Sequence, residues 1–331
     1  MDRKNIKRLF FEFTGSLGDI GTFLPIACGL ILINKVNGTS LFLTAGLFYI
    51  LAGAYFRIPI PVQPLKATSA LAMAIGASAA TLSLVGLFMS AFLFGVAFLN
   101  LDKLIARLFK RPIIRGIQLG LAIILIKGGL KLIFTLPNNT VVFAAGNSLD
   151  LYQAFFLLFL PQVPLTLANS IYATQDTAQI YFKDKSGRVT PKALCVSLGI
   201  SNLASAISGG IPLCHGSSGL TAHYRFGARS GLCGVFAGCI FILIALAFKT
   251  GAGNIIGLIP LWVLGLSLIY IGIRHGALIR DIVCFTKEFS VALIIGLYTL
   301  IFGNLAVAFS IGIIVNFMLN NPLYHLKERT L

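Results

Sequence analysis

In the stretch VQPLKAT (62–68), Gln63 and Lys66 stand inside a run that is otherwise largely apolar from Ile58 to Ala80. Both side chains cost free energy in hydrocarbon, so each calls for a partner or a ligand. Pro64 removes a backbone donor and favours an extended entry, after which LKATSALAMA reads as a helix. Lys66 then falls in the first turn of that helix, where a cation opposes the macrodipole and a bound anion would explain its charge. The competing use of Lys66 is snorkelling toward the surface near Arg57.

A second set has the same plan. Gly209, Gly210 and Pro212 precede HGSSGLTAHY, so His215, Gly216, Ser217 and Ser218 lie where another helix should begin, offering imidazole, hydroxyl and backbone donors. In PQVPLTLANS (161–170), Gln162, Thr166 and Asn169 are spaced four and three apart and share one helix face. Such a face looks at protein or water, and interhelical hydrogen bonding is its ordinary alternative use. Of the ten acids, Glu12 and Asp19 are the intramembrane candidates. Glu12 lies near the inner surface, where water or Arg8 can serve it. Asp19 sits deeper, between Gly18 and Gly21. A carboxylate at that depth marks proton carriage or cation binding, with a local helix cap as the competing role.

The elements that must hold these residues are membrane spans. Of 331 residues, 57% are hydrophobic and 11% charged, with a mean hydropathy of +0.92. That is the composition of an all-α polytopic membrane protein with no room for a soluble domain. Breaks at charged or Gly/Pro-rich positions delimit about twelve candidate spans, near 12–33, 40–56, 60–79, 81–100, 113–135, 151–175, 193–210, 212–228, 231–248, 254–273, 288–303 and 305–320. The last two are short enough to be a re-entrant hairpin. With the N-terminus cytoplasmic, the 26 basic residues fall on inner segments except Lys35, Lys66, Lys127, Lys131 and Lys249, so both termini are expected on the cytoplasmic side of the cytoplasmic or plasma membrane. The formal charge of +16 is then topology and attraction to lipid headgroups rather than nucleic-acid binding. The six cysteines form no C-x-x-C pair and the four histidines no ligand spacing, so neither disulfides, a metal site nor a cofactor is expected.

GSLGDIGTF (15–23) followed by IPVQPLKATSALA (60–72) resembles LTLANSIYA (165–173) followed by IPLCHGSSGLTA (211–222), at an offset of about 150 residues. Asp19 then corresponds to Asn169, and Ile60-Pro61 to Ile211-Pro212. Five spans separate the copies, and an odd number inverts the second. The expected organisation is a first inverted repeat over 1–136, an external connection over 137–150, a second repeat over 151–320 and a short cytoplasmic tail over 321–331. Each repeat holds one broken half-helix segment. Two facing half-helix N-termini make an anion site from backbone N–H groups, those near Leu65 to Ala67 and Gly216 to Ser218.

The segments GSLGDIGTFLPI (15–26), PIPVQPLKATSA (59–70), LPQVPLTLANSIYA (160–173) and IPLCHGSSGLTAHYRFGARSG (211–231) resemble the molybdate transporter family, a branch of the sulfate permease (SulP) superfamily without the regulatory domain. The resemblance implies core and gate domains built from inverted repeats of seven spans, with a tetrahedral oxyanion held between two broken helices. The count here is two spans short of that scheme before the second copy. Ser217-Ser218 stands where members commonly carry Ala-Gly, and His223 where they carry Gln, which leaves molybdate and sulfate both open. The resulting expectation is a proton-coupled secondary transporter of molybdate first and sulfate second. Gln63, Lys66, Ala67, Gln162, Asn169, His215, Gly216, Ser217 and Ser218 would bind the oxyanion and Asp19 the coupling proton. A nucleobase or carboxylate permease of the same fold and a passive anion channel are the alternatives, and a homodimer is left open. No clustered acid/base or nucleophile set points to an enzyme.

Overall fold

The computed structural model of the chain describes residues 3–99, 110–134, 150–251 and 260–319. Of the connection expected over 137–150, residues 137–149 lie outside them, as do the tail over 321–331, the start of the span at 254 and the inner basic residues Lys103 and Arg107. The described residues are almost wholly helical, and seven of their helices are long and apolar enough to cross a membrane. The chain divides into two compact units, residues 1–102 with 142–260, and residues 103–141 with 261–331. Each expected repeat therefore contributes first to unit 1 and then to unit 2.

Unit 1 begins with α1 (Arg3–Leu17) and α2 (Ile20–Asn34), followed by α3 (Gly38–Phe56). The first expected span is thus two helices broken at Gly18-Asp19. Asn37 starts α3 as its N-cap, its side chain accepting the Ser40 N–H at 3.0 Å. After α3 the chain is extended through the two-residue strand β1 (Gln63–Pro64) and enters α4 (Lys66–Ile75), a half-helix of 10 residues. Gly76, at φ 69°, ends it in the left-handed conformation. Asn34 Nδ2 donates to the carbonyls of Ala72 and Ala77 at 2.9 and 2.7 Å, so α2 fixes where α4 stops. Then comes α5 (Ala79–Leu99).

The second half of unit 1 has the same order. A long helix, α7 (Gln153–Ser186), carries two π-helical stretches, Gln153–Phe159 and Thr166–Tyr172. Pro161 and Pro164 supply no N–H to the α-helical ladder between them, and widened turns are a common way of absorbing such a loss. Next come α8 (Pro191–Ser208), the strand β2 (Leu213–Cys214), the half-helix α9 (Ser217–Arg225) and α10 (Leu232–Lys249). The segments 60–79 and 212–228 are therefore extended entries into half-helices rather than full spans. The strands pair antiparallel, Gln63 opposite Cys214 and Pro64 opposite Leu213.

On α3, Leu43, Leu47, Leu51 and Tyr55 are exposed at four-residue spacing, a lipid-facing stripe, while Phe42, Tyr49 and Phe56 on the opposite side are buried. Phe23, Phe42, Tyr49 and Phe241 interlock with ring centroids 4.4–5.9 Å apart and join α2, α3 and α10. With apolar groups on both sides of the helices, it is packing and buried polar contacts that select this arrangement.

Unit 2 contains α6 (Arg111–Phe134), α11 (Leu261–Gly276), α12 (Thr286–Phe302) and α13 (Leu305–Leu319). Arg111 and Arg115 both reach Asp281, at 3.0 and 2.5 Å. Lys127, one of the basic residues off the inner segments, donates to the Leu300 carbonyl at 2.7 Å. Residues 286–319 form two helices joined at Gly303 and Asn304.

Candidate functional site

The first turns of α4 and α9 meet within unit 1 because the antiparallel strands deliver them to one place. The pairing is extended by the Leu65 N–H, which donates to the Pro212 carbonyl at 2.9 Å. That bond consumes one of the backbone donors expected to face a ligand and leaves the first-turn N–H groups of Lys66 and Ala67, which have no acceptor inside their own helix. The next, that of Thr68, is taken by Gln162 Oε1 at 3.0 Å. On the other side, Gly216 caps α9 without a side chain, and Ser217 and Ser218 supply its first N–H groups.

The side chains named from the sequence converge here. Lys66 Nζ donates to Ser218 Oγ at 2.7 Å, linking the two half-helix starts. Ser217 Oγ donates to Asn169 Oδ1 at 2.7 Å. Asn169 lies in the second π-helical stretch of α7, half-buried beside Gly216. Gln162, about two turns earlier on the same helix, is buried and also bonds Thr166 Oγ1 at 3.1 Å. One face of α7 thus touches α4 through Gln162 and α9 through Asn169.

Asp19 is 1% exposed. It stands at the start of α2, but its side chain makes no capping bond. Its carboxylate faces away from that helix start: Oδ2 accepts the Tyr49 hydroxyl at 2.7 Å and Oδ1 accepts from Gln63 Nε2. The competing cap role is therefore unused, and Asp19 is tied through Gln63 to the meeting point of the half-helices. Glu12, expected near water or Arg8, is instead 2% exposed, and its Oε1 accepts the Arg229 backbone N–H at 3.1 Å.

His215 does different work from the rest. Nδ1 lies 2.7 Å from the Pro61 carbonyl and Nε2 2.9 Å from Ser197 Oγ, and its own carbonyl accepts from Thr174 Oγ1 at 2.5 Å. A carbonyl can only accept, so Nδ1 carries the hydrogen and Nε2 accepts from Ser197. Both nitrogens are spent on bracing the strand crossing.

Tyr49, Ser197 and Asn202 did not stand out in the sequence. Asn202 on α8 behaves as a third strand: its Oδ1 accepts the Leu213 N–H at 3.0 Å and its Nδ2 donates to the Leu213 carbonyl at 2.9 Å. The available signal was weak, a lone tyrosine or asparagine inside an apolar span, which must find a partner when buried. No group of three or more His, Cys, Asp or Glu able to hold a metal occurs among the described residues.

Residues 11–125 and 154–274 match the family described as "Molybdate transporter of MFS superfamily". Molybdate transporter 2 of Arabidopsis thaliana is 26% identical over 417 residues, an alignment covering 93% of this chain and 87% of that protein. Molybdate transporter 1 of the same plant is 23% identical over 366 residues, covering 82% and 80%. Among solved structures, the transmembrane domain of the cyanobacterial bicarbonate transporter BicA superposes with a TM-score of 0.62 at 14% identity, covering 93% of this chain and 97% of that one. The overall structure of SLC26A9 gives 0.60 at 14% identity, covering 94% of this chain and 65% of that one. At such identity these two likenesses are likenesses of fold.

Proposed function

The chain belongs to the molybdate transporter family, and on that premise we propose that it is a secondary transporter of a tetrahedral oxyanion, molybdate first and sulfate second, coupled to protons. The observation that carries this reading is the meeting of two half-helix N-termini across the β1–β2 crossing, with Lys66 between them. Unpaired first-turn N–H groups and a cation in one place favour a compact anion and disfavour a neutral base. The oxygens are bound by the N–H groups of Lys66, Ala67, Ser217 and Ser218, helped by Lys66 Nζ, the Ser217 hydroxyl and Asn169. Gly216 allows the close approach. His215 and Gln162 hold this frame rather than the ion.

Asp19 takes the coupling proton. It is a buried carboxylate with donors on both oxygens, and Asn169 as its counterpart keeps a single carboxylate at the centre rather than two repelling ones. Transport is by alternating access, and every residue of the site belongs to unit 1. The SLC26-type fold supports placement with the sulfate permease superfamily. The basic inner segments support cytoplasmic termini and contact with anionic lipid.

Uptake of labelled molybdate into proteoliposomes, with sulfate as competitor, tests the reading. Saturable uptake that rises with an inward proton gradient is expected; uptake of a nucleobase with neither oxyanion transported sinks it. Asp19→Asn should lose the response to the gradient, and retained proton-driven uptake removes Asp19 from the coupling role.

A further inference from the structure

Gln63 has two buried polar ends with different fates. The residue is 1% exposed; Nε2 donates to Asp19 Oδ1, whereas Oε1 has no partner among the described residues. An amide oxygen left open in a buried place needs an explanation. Its surroundings are kept small: a Cβ at Gly216 would lie 2.6 Å from Oε1, and one at Gly219 2.6 Å from Nε2. Glycine on both sides leaves the amide plane room to turn. The Gly216 Cβ position is also 3.2 Å from Asn169 Nδ2, so the open end of Gln63 looks toward the same corner as Asn169 and the start of α9.

The two ends of a primary amide are nearly equal in size and opposite in hydrogen-bond sense. An ionised Asp19 can only accept, so Nε2 must face it, which turns the acceptor Oε1 toward the corner where an oxyanion would bind. With a proton on Oδ1 and the Tyr49 hydroxyl still on Oδ2, Asp19 becomes a donor to Gln63. A half-turn of the amide then puts Oε1 against Asp19 and the NH2 group in the corner.

We infer that Gln63 is an amide switch that converts protonation of Asp19 into a donor for the oxyanion. Without the proton an oxygen meets the anion's oxygens; with it, N–H groups do. Ion and proton therefore favour each other's binding reciprocally without touching. The inference rests on the reading that the site takes an oxyanion and Asp19 the proton. Tyr49 on α3 and Gln63 on β1 are the hydrogen-bond partners of the carboxylate among the described residues. Cys214 on β2 and Cys233 on α10 are in electrostatic reach of it; Glu12 on α1 reaches Cys233, and Lys66 reaches Cys214. His223 on α9 stacks edge-on to Tyr49 at 6.1 Å.

The test is equilibrium binding of labelled molybdate to the purified full chain at neutral and mildly acidic pH. Wild type should bind about tenfold or more tightly at acidic pH, the size of an ordinary coupling between two sites. Asp19→Asn, whose NH2 group donates to Oε1 as the protonated acid does, should keep the tight affinity at both pH values. Gln63→Leu should bind weakly and equally at both. A Gln63→Leu protein that retains the wild-type pH response overturns the switch and leaves the oxyanion reading standing. A wild type that binds no molybdate at either pH overturns that reading, and the switch with it. Should Gln63→Leu not fold, Asp19→Asn decides alone: affinity at neutral pH no better than wild type overturns the switch.

Discussion

Lys66 Nζ and Ser218 Oγ, 152 positions apart in the chain, meet at 2.7 Å and join the first turns of two half-helices. A lysine in a helix's first turn is electrostatically misplaced, and a hydroxyl does not compensate its charge. An anion between the two turns would. Replacing Lys66 with Ala should therefore weaken molybdate binding by roughly ten- to a hundredfold, the loss of one charge-assisted hydrogen bond of about 1.5–3 kcal/mol. Ser218→Ala should cost only a few-fold. Equal, small effects from both would return Lys66 to a snorkelling role.

Asn202 makes a different prediction, because it serves the frame. Its side chain satisfies both backbone groups of Leu213 while fully buried. Asn202→Ala strands a buried N–H and a buried C=O, at a cost of about 2–4 kcal/mol of stability. Thermal unfolding in detergent should show a clear drop in the melting temperature. An unchanged melting curve means that water has replaced the side chain and that β2 needs no third partner.

How much of this was legible beforehand depends on the kind of signal. The half-helices could be read because Pro59, Pro61, Pro64, Gly209, Gly210 and Pro212 interrupt apolar runs, and the backbone restriction they impose is local. The shared face of Gln162, Thr166 and Asn169 was equally legible as helical spacing, although two of the three lie in a π-helical stretch that spacing alone does not reveal. Tyr49, Ser197 and Asn202 were not legible, since each is an ordinary polar residue whose importance comes from a partner distant in sequence. His215 marked the right place, but the partners of its nitrogens were not legible, because pairing with the Pro61 carbonyl is a product of the strand crossing.

Gln162 and Asn169 sit on one helix face, yet they should fail differently. Gln162 Oε1 holds the buried Thr68 N–H, so Gln162→Leu should lower stability by about 1–3 kcal/mol through the stranded donor. Asn169 is half-buried at the meeting point and bonds a side chain that can reorient. Asn169→Ala should weaken molybdate binding severalfold while the melting temperature stays near wild type. The reverse pattern would exchange the two roles.

Ser197 offers a way to separate bracing from binding at His215. In the tautomer set by the Pro61 carbonyl, Nε2 depends on the Ser197 hydroxyl for its donor. Ser197→Ala leaves that nitrogen buried without one, since His215 is 0% exposed, and should cost about 1–3 kcal/mol of stability. The half-helix starts are not otherwise touched, so molybdate affinity of the folded variant should match wild type. If affinity falls while stability holds, His215 senses the ion directly, and its nitrogen belongs among the ligands.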